Sequence, residues 1–183
     1  MTLLHTPVCD VGLLAPDFNL LGVDGKRWTR DECAGKKGLL VMFICNHCPY
    51  VKAIQQRLLE DVTVLQEQGI GVVAIMSNDP SDYPADSFES MQIIAKEKGY
   101  NFPYLIDTTQ QVAKDYGAIC TPDFFGYNSQ SQLQYRGRLD EAGKDSNVGD
   151  VKRDLLEAML LVAKTGKGPA EQIPSMGCSI KWI

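Results

Sequence analysis

The chain has 183 residues, 44% of them apolar and 22% charged, which is enough to build one sizeable core without a disulfide scaffold. Eighteen Lys and Arg against twenty-three Asp and Glu leave a net charge of −5 with no basic cluster, so neither nucleic acid nor an anionic membrane surface is an expected partner. The longest uncharged apolar stretches, Gly38 to Cys45 and Ile70 to Met76, fall far short of the ~20 residues that a bilayer-spanning helix requires.

The first ten residues lack a basic leader, and His5, Thr6 and Pro7 interrupt their apolar side chains, so a cytoplasmic location is expected. From Gly38 to Ile44 the run Gly-Leu-Leu-Val-Met-Phe-Ile is continuously apolar and predicts a strand buried on both faces. The period then changes. Val51, Ile54, Leu58, Val62 and Leu65 recur at helical spacing opposite Lys52, Gln55, Gln56, Glu60 and Asp61, which predicts an amphipathic helix stopped by Gly69. Gly71 to Met76 reads as a second buried strand. Asp86 to Lys98 reads as a helix with Phe88, Met91, Ile94 and Ala95 inward and Gly99 as its cap. A short strand over 103–107 and a brief helix over 110–116 follow. Residues 124–127 and 133–138 predict two antiparallel strands joined by Asn128-Ser-Gln-Ser131, and Val148 to Val162 a last helix closed by Lys164 and Gly166. Strand-helix-strand followed by a hairpin and a helix gives an α/β class, with one open mixed sheet flanked by helices on both faces.

The chemistry sits where the first buried strand meets its helix, at Cys45-Asn46-His47-Cys48-Pro49. Proline fits only the first turn of a helix, so Pro49 fixes the helix start at or just before Cys48, with Asn46 a candidate N-cap. Both cysteines then lie at a helix mouth whose amides and partial positive charge favour a thiolate. One pKa unit is about 1.36 kcal/mol. The dipole supplies only ~0.3–1 kcal/mol, sometimes ~2, so direct amide bonds and a charged His47 must provide the rest of any large shift. On this reading Cys45 is the acidic, attacking thiol and Cys48 the resolving one. The six cysteines, at 9, 33, 45, 48, 120 and 178, are too sparse for a secreted disulfide framework. Two alternatives stand beside the redox dithiol. One is a redox-inert pair of core cysteines. The other is a zinc site, for which only isolated Cys120, Cys178 and His5 remain as further ligands.

These residues resemble the thioredoxin-like superfamily, on its peroxiredoxin-like branch of alkyl hydroperoxide reductase, thiol-specific antioxidant and redoxin domains. Ala15-Pro-Asp-Phe-Asn-Leu20 with Val23-Asp-Gly25 resembles the branch's opening hairpin, and Phe102 to Asp107 with Val112 to Gly117 its middle. Cys120-Thr-Pro-Asp-Phe124 resembles the stretch that carries a cis-proline beside the dithiol. The resemblance implies a single thioredoxin-like domain over 1–183 with an N-terminal β-hairpin extension. It implies that Pro122 is the cis residue and that Thr121 offers its backbone to an incoming disulfide. Pro174 to Trp182 resembles the branch's ending, so residues 169–183 are expected to form a free-reaching tail whose Cys178, like Cys120, is a possible further redox residue. Cys9 and Cys33 match no motif and are taken as structural.

Peroxiredoxins resemble one another in Pro-x-x-x-Thr-x-x-Cys, and neither alignment of that pattern on Cys45 or Cys48 fits this chain. Arg136 or Arg138 would be the matching peroxide-site arginine. The expected activity is therefore thiol–disulfide exchange on a disulfide-containing protein or small thiol substrate, recycled by a thiol reductant, with no organic cofactor or metal. Hydroperoxide reduction by an antioxidant thiol peroxidase is the alternative. A histidine before the second cysteine is similar to the oxidising members of the superfamily, which implies a stronger oxidant than thioredoxin. Tyr50, Phe124 and Phe125 are candidates for an apolar docking surface, or for core.

Overall fold

The computed structural model describes residues 2–145 and 151–183. Its elements, in chain order, are β1 (Leu3–His5), β2 (Asn19–Gly22), β3 (Arg27–Thr29), α1 (Arg30–Cys33), β4 (Gly38–Phe43), α2 (Pro49–Glu67), β5 (Ile70–Met76), α3 (Phe88–Lys98), β6 (Tyr104–Ile106), α4 (Gln111–Tyr116), β7 (Cys120–Thr121), β8 (Asp123–Asn128), β9 (Leu133–Tyr135), α5 (Asp154–Thr165) and β10 (Met176–Ser179).

Alternation along β4 explains the two-sided core. Leu40 and Met42 face one hydrophobic cluster with Ile54, Leu58, Val62 and Leu65 of α2 and Leu155, Met159 and Val162 of α5. Leu39, Val41 and Phe43 face the other, with Phe125 of β8 and Val112, Ala113 and Tyr116 of α4. Every residue of β4 is buried, as its unbroken apolar run requires. The strands run β3-β2-β6-β5 and β4-β8-β9, and Ile44 N–H donates to Ile75 O at 3.1 Å where the two groups meet. The pair β5/β6 is parallel and the other registered pairs are antiparallel, so the sheet is mixed, with helices on both faces. The opening hairpin β2/β3 is present, turned at Gly25 in the left-handed region.

Several expected boundaries move for identifiable reasons. Helix α3 begins at Phe88 with Ser87 as its cap, accepting from Ser90 N–H, which leaves Asp86 in a 3₁₀ turn outside the helix. Strand β9 stops at Tyr135 because the next amides pair elsewhere: Arg136 N–H donates to Gln172 Oε1 and Arg138 N–H to Ile173 O, each at 2.8 Å. Helix α5 begins at Asp154; Val148, expected within it, lies outside the described residues, and 151–153 are not helical.

The largest departure is at the C-terminus. The sequence 176–179 has little strand signal, yet β10 lies between β1 and β7 in a second, three-stranded antiparallel sheet. Ile180 joins the second core cluster, Lys181 N–H donates to Asn78 Oδ1, and Ile183 N–H to Gln110 Oε1. Residues 176–183 are therefore held against the domain, not free to reach.

Asp61 on α2 is buried beside Arg153, with which it forms an ion pair. Burial raises its carboxyl from the usual 3.8 to about 7, although Arg153 pulls it down. A carboxyl raised on folding contributes stability that is fully present below about 4 and is lost as the pH rises through about 7. Urea titrations across that range should show stability declining with pH in the wild type and a flatter profile in Asp61→Asn.

Candidate active site

Strand β4 delivers Cys45 to the end of the sheet, and Pro49 starts α2 four residues later. The N-cap is Cys48, not Asn46. Asn46 is turned away to a buried network, its Nδ2 donating to Ala85 O and its Oδ1 accepting from Tyr104 OH. Cys48 thus occupies the position from which a serine would accept the free amides of the first turn.

The two thiols share one proton, and the surroundings decide which sulfur is charged. Cys48 is held well below the usual thiol range, first by the Cys45 thiol donating to it, and then by the Val51 amide and the thiol and amide of Cys178; burial opposes the shift. Thr121 O, 3.1 Å from Cys48 Sγ, is an acceptor and also opposes a thiolate, but the converging donors outweigh it. Cys45 is raised well above the usual range because its thiol donates to Cys48, because it is buried, and because the Asp86 carboxylate is near; Thr121 Oγ1, 3.3 Å away, acts in the opposite sense. The expectation that Cys45 is the acidic thiol is therefore reversed. The first cause is the hydrogen bond between the two thiols; the burial of Cys45 and then the Asp86 carboxylate act in the same sense.

Asp86 is fully buried and collects four donors: Asn46 N–H at 2.8 Å, His47 N–H at 3.1 Å, His47 Nδ1 at 2.5 Å and Asn78 Nδ2 at 2.9 Å. His47 Nδ1 is also 3.8 Å from Cys45 Sγ. The same nitrogen faces the carboxylate and the thiol, so positive charge on His47 is countered by Asp86 before it reaches Cys45. Tyr83 stacks on the imidazole at 4.2 Å. Neither Asp86 nor Tyr83 was visible as a site residue in the sequence, where Asp86 reads as the start of a helix.

Cys45, His47 and Asp86 place one donor atom each within 4.8 Å of one another. Two ligands bound at about 2.0 Å on a tetrahedral zinc would stand roughly 3.3 Å apart. The 2.5 Å between His47 Nδ1 and Asp86 Oδ2 is too close for that, and shorter than an ordinary N–H···O bond.

Of the remaining expected residues, Thr121-Pro122 is joined by a cis peptide bond, and Thr121 touches both sulfurs. Cys178 comes to Cys48 through β10, while Cys120, next along β7, points its thiol to Pro122 O and is kept protonated by burial. Arg136 is engaged elsewhere: its guanidinium pairs with buried Asp123, donates to Gly117 O and lies over the Phe125 ring. Arg138 pairs with Asp154. Neither arginine contacts the dithiol. Cys33 and Cys9 are protonated, pushed up by burial to about 12 and about 11. All six cysteines are free thiols.

Both sulfur-bearing residues are sealed, Cys45 at 1% and Cys48 at 0% exposure. Beside them opens a groove of about 510 Å³ lined by Tyr50, Pro122, Phe124, Arg138, Ser175 and Met176. Tyr50 and Phe124 are thus at the groove, and Phe125 is in the core. The groove's outer wall is tied to α2 by Arg57, which donates to both carboxylate oxygens of Asp140, at 2.5 and 3.3 Å, and to Gly143 O and Asp145 O.

Residues 11–139 match the AhpC/TSA family. A crystal structure of an uncharacterised conserved protein from Geobacillus kaustophilus is 39% identical, with a TM-score of 0.94 over 100% of this chain and 97% of that one. The chain is 27% identical over 115 residues to the thiol-disulfide oxidoreductase ResA of Geobacillus thermodenitrificans, covering 63% of this chain and 62% of that relative's length. The thioredoxin domain of a thiol-disulfide oxidoreductase from Bacteroides vulgatus, 14% identical, shares the thioredoxin-like fold at a TM-score of 0.59 over 70% of this chain and 89% of that one.

Proposed function

The chain belongs to the AhpC/TSA family, and on that premise we propose that it is a thiol–disulfide oxidoreductase working through Cys45 and Cys48. One observation carries the reading: Cys45 and Cys48 meet at the mouth of α2, each within reach of Thr121, whose bond to Pro122 is cis. Cys48 is sealed in this structure, so β10 must first leave it; the Cys48 thiolate then attacks a disulfide, forming a mixed disulfide and expelling one substrate thiolate. Cys45 then attacks the Cys48 sulfur, its proton going to the second leaving sulfur, and a Cys45–Cys48 disulfide closes. The substrate gains two electrons and the one proton the pair holds, and its first thiolate takes a second proton from solvent. Burial and the Asp86 carboxylate keep Cys45 protonated until that second step. A thiol reductant restores the pair, and the thiol resting state suits the cytoplasm.

Because the surroundings stabilise the reduced, charged form, the pair resists giving up electrons. Its potential should lie above the ~−270 mV of thioredoxin.

Turnover of insulin disulfide and of hydrogen peroxide, each with a thiol reductant, tests the reading. Insulin reduction that disappears in Cys45→Ser and in Cys48→Ser is the expected result. Peroxide consumption with no insulin reduction would replace this reading with a thiol peroxidase. Stoichiometric zinc in the purified protein, lost in Cys45→Ser, would replace it with a metal module.

A further inference from the structure

Strand β10 occupies the edge that the proposed reaction needs for its substrate. It pairs antiparallel with β7, Cys178 opposite Thr121 and Ser179 opposite Cys120. An extended chain added at a free sheet edge gains affinity from main-chain bonds and specificity from the side chains it presents. Here the side chain presented is a thiol: Cys178 packs in one buried cluster with Cys48 and helps to lower it. The approach is closer than any other residue type allows at the preceding position. A Cβ on Gly177 would overlap Thr121 O and come within 3.0 Å of Pro122 N.

We infer that β10 is a disulfide-exchange substrate carried within the chain, whose Cys178 attacks the Cys48 sulfur of the oxidised Cys45–Cys48 pair. A Cys48–Cys178 bond forms, the Cys45–Cys48 bond breaks, and the proton of Cys178 passes to the departing Cys45. No net oxidation occurs. The inference rests on the exchange activity proposed above and adds its consequence that an external disulfide and β10 compete for one edge. Burial at 3% exposure and a thiol pushed up to about 11 keep Cys178 neutral in the reduced protein, where it serves as a donor to the Cys48 thiolate. It becomes a nucleophile only when Cys48 is oxidised and no longer holds charge.

The full chain treated with glutathione disulfide, quenched in acid and mapped by peptide mass tests this. Wild type should contain Cys45–Cys48 together with a fraction of Cys48–Cys178 in which Cys45 is a free thiol. Cys45→Ser should convert its Cys48–glutathione adduct to Cys48–Cys178, losing glutathione about 10²-fold faster than Cys45→Ser/Cys178→Ala, as expected for a thiol held in place. Gly177→Ala, which pushes β10 off Thr121, should lose the Cys48–Cys178 bond and keep Cys45–Cys48. A lasting Cys48–glutathione adduct in Cys45→Ser, with wild type forming only Cys45–Cys48, overturns the inference and leaves the exchange activity standing. A wild type that forms no disulfide at all overturns both.

Discussion

Cys48→Ser is expected to remove the thiolate of the reduced protein from acid pH up to the ordinary thiol range, and with it all disulfide exchange. Ultraviolet thiolate absorbance followed against pH measures this directly. The wild type should keep its absorbance to pH values well below the usual 9.0, because Cys48 is lowered by the donors aimed at its sulfur. Cys45→Ser, which keeps a hydroxyl donor toward Cys48, should retain most of that signal while losing turnover, since it has no second sulfur to close the bond. Stability carries the same signature. Between the lowered folded pKa and the unfolded one, the unfolded chain binds more protons, so the reduced wild type should gain stability as the pH rises toward about 9. That gain is lost as the pH falls through the folded value, and Cys48→Ser should not show it. An absorbance that disappears in Cys45→Ser and survives in Cys48→Ser would return the charge to Cys45.

Asp86→Ala should be the most damaging single substitution for stability at the site, costing about 3–5 kcal/mol. The carboxylate is fully buried and accepts from two backbone amides, an imidazole and an amide side chain. Removing it leaves those donors in a dry environment without an acceptor, which is more expensive than losing a solvated bond. Urea unfolding should show a lower midpoint at an unchanged slope. Cys45 should also titrate lower, since a nearby negative charge that disfavours its thiolate is gone. Asp86→Asn keeps one acceptor oxygen but turns an NH₂ toward existing donors, so it should fall between the two.

Much of this was legible in the sequence because it is written in local pattern. The unbroken run 38–44 specified a strand covered on both faces, and the spacing from Val51 to Leu65 specified the helix above it. Pro49 fixed where that helix begins, and so placed the dithiol. The sequence around Pro122 resembled a cis-proline segment, and the bond is cis. What could not be read is what depends on distant partners. Asp86 looks like the start of a helix from its neighbours alone; only the fold shows that Asn46, His47 and Asn78 converge on it and that its charge lies near Cys45. Met176-Gly-Cys-Ser179 carries no alternation to mark a strand, because its reason for being extended is the edge of β7. Arg136 and Arg138 looked available until Asp123 and Asp154, one on each side of the chain's late segment, were found to hold them.

The clamp made by Arg57 has a consequence for what can enter. Its guanidinium grows from the same helix that Cys48 caps, and it grips the opposite lip at Asp140, Gly143 and Asp145. Jaw and tooth are thereby mounted on one rigid rod. The gap between them is set by that one grip, so Arg57→Ala is expected to widen the groove while leaving Cys45 and Cys48 in place.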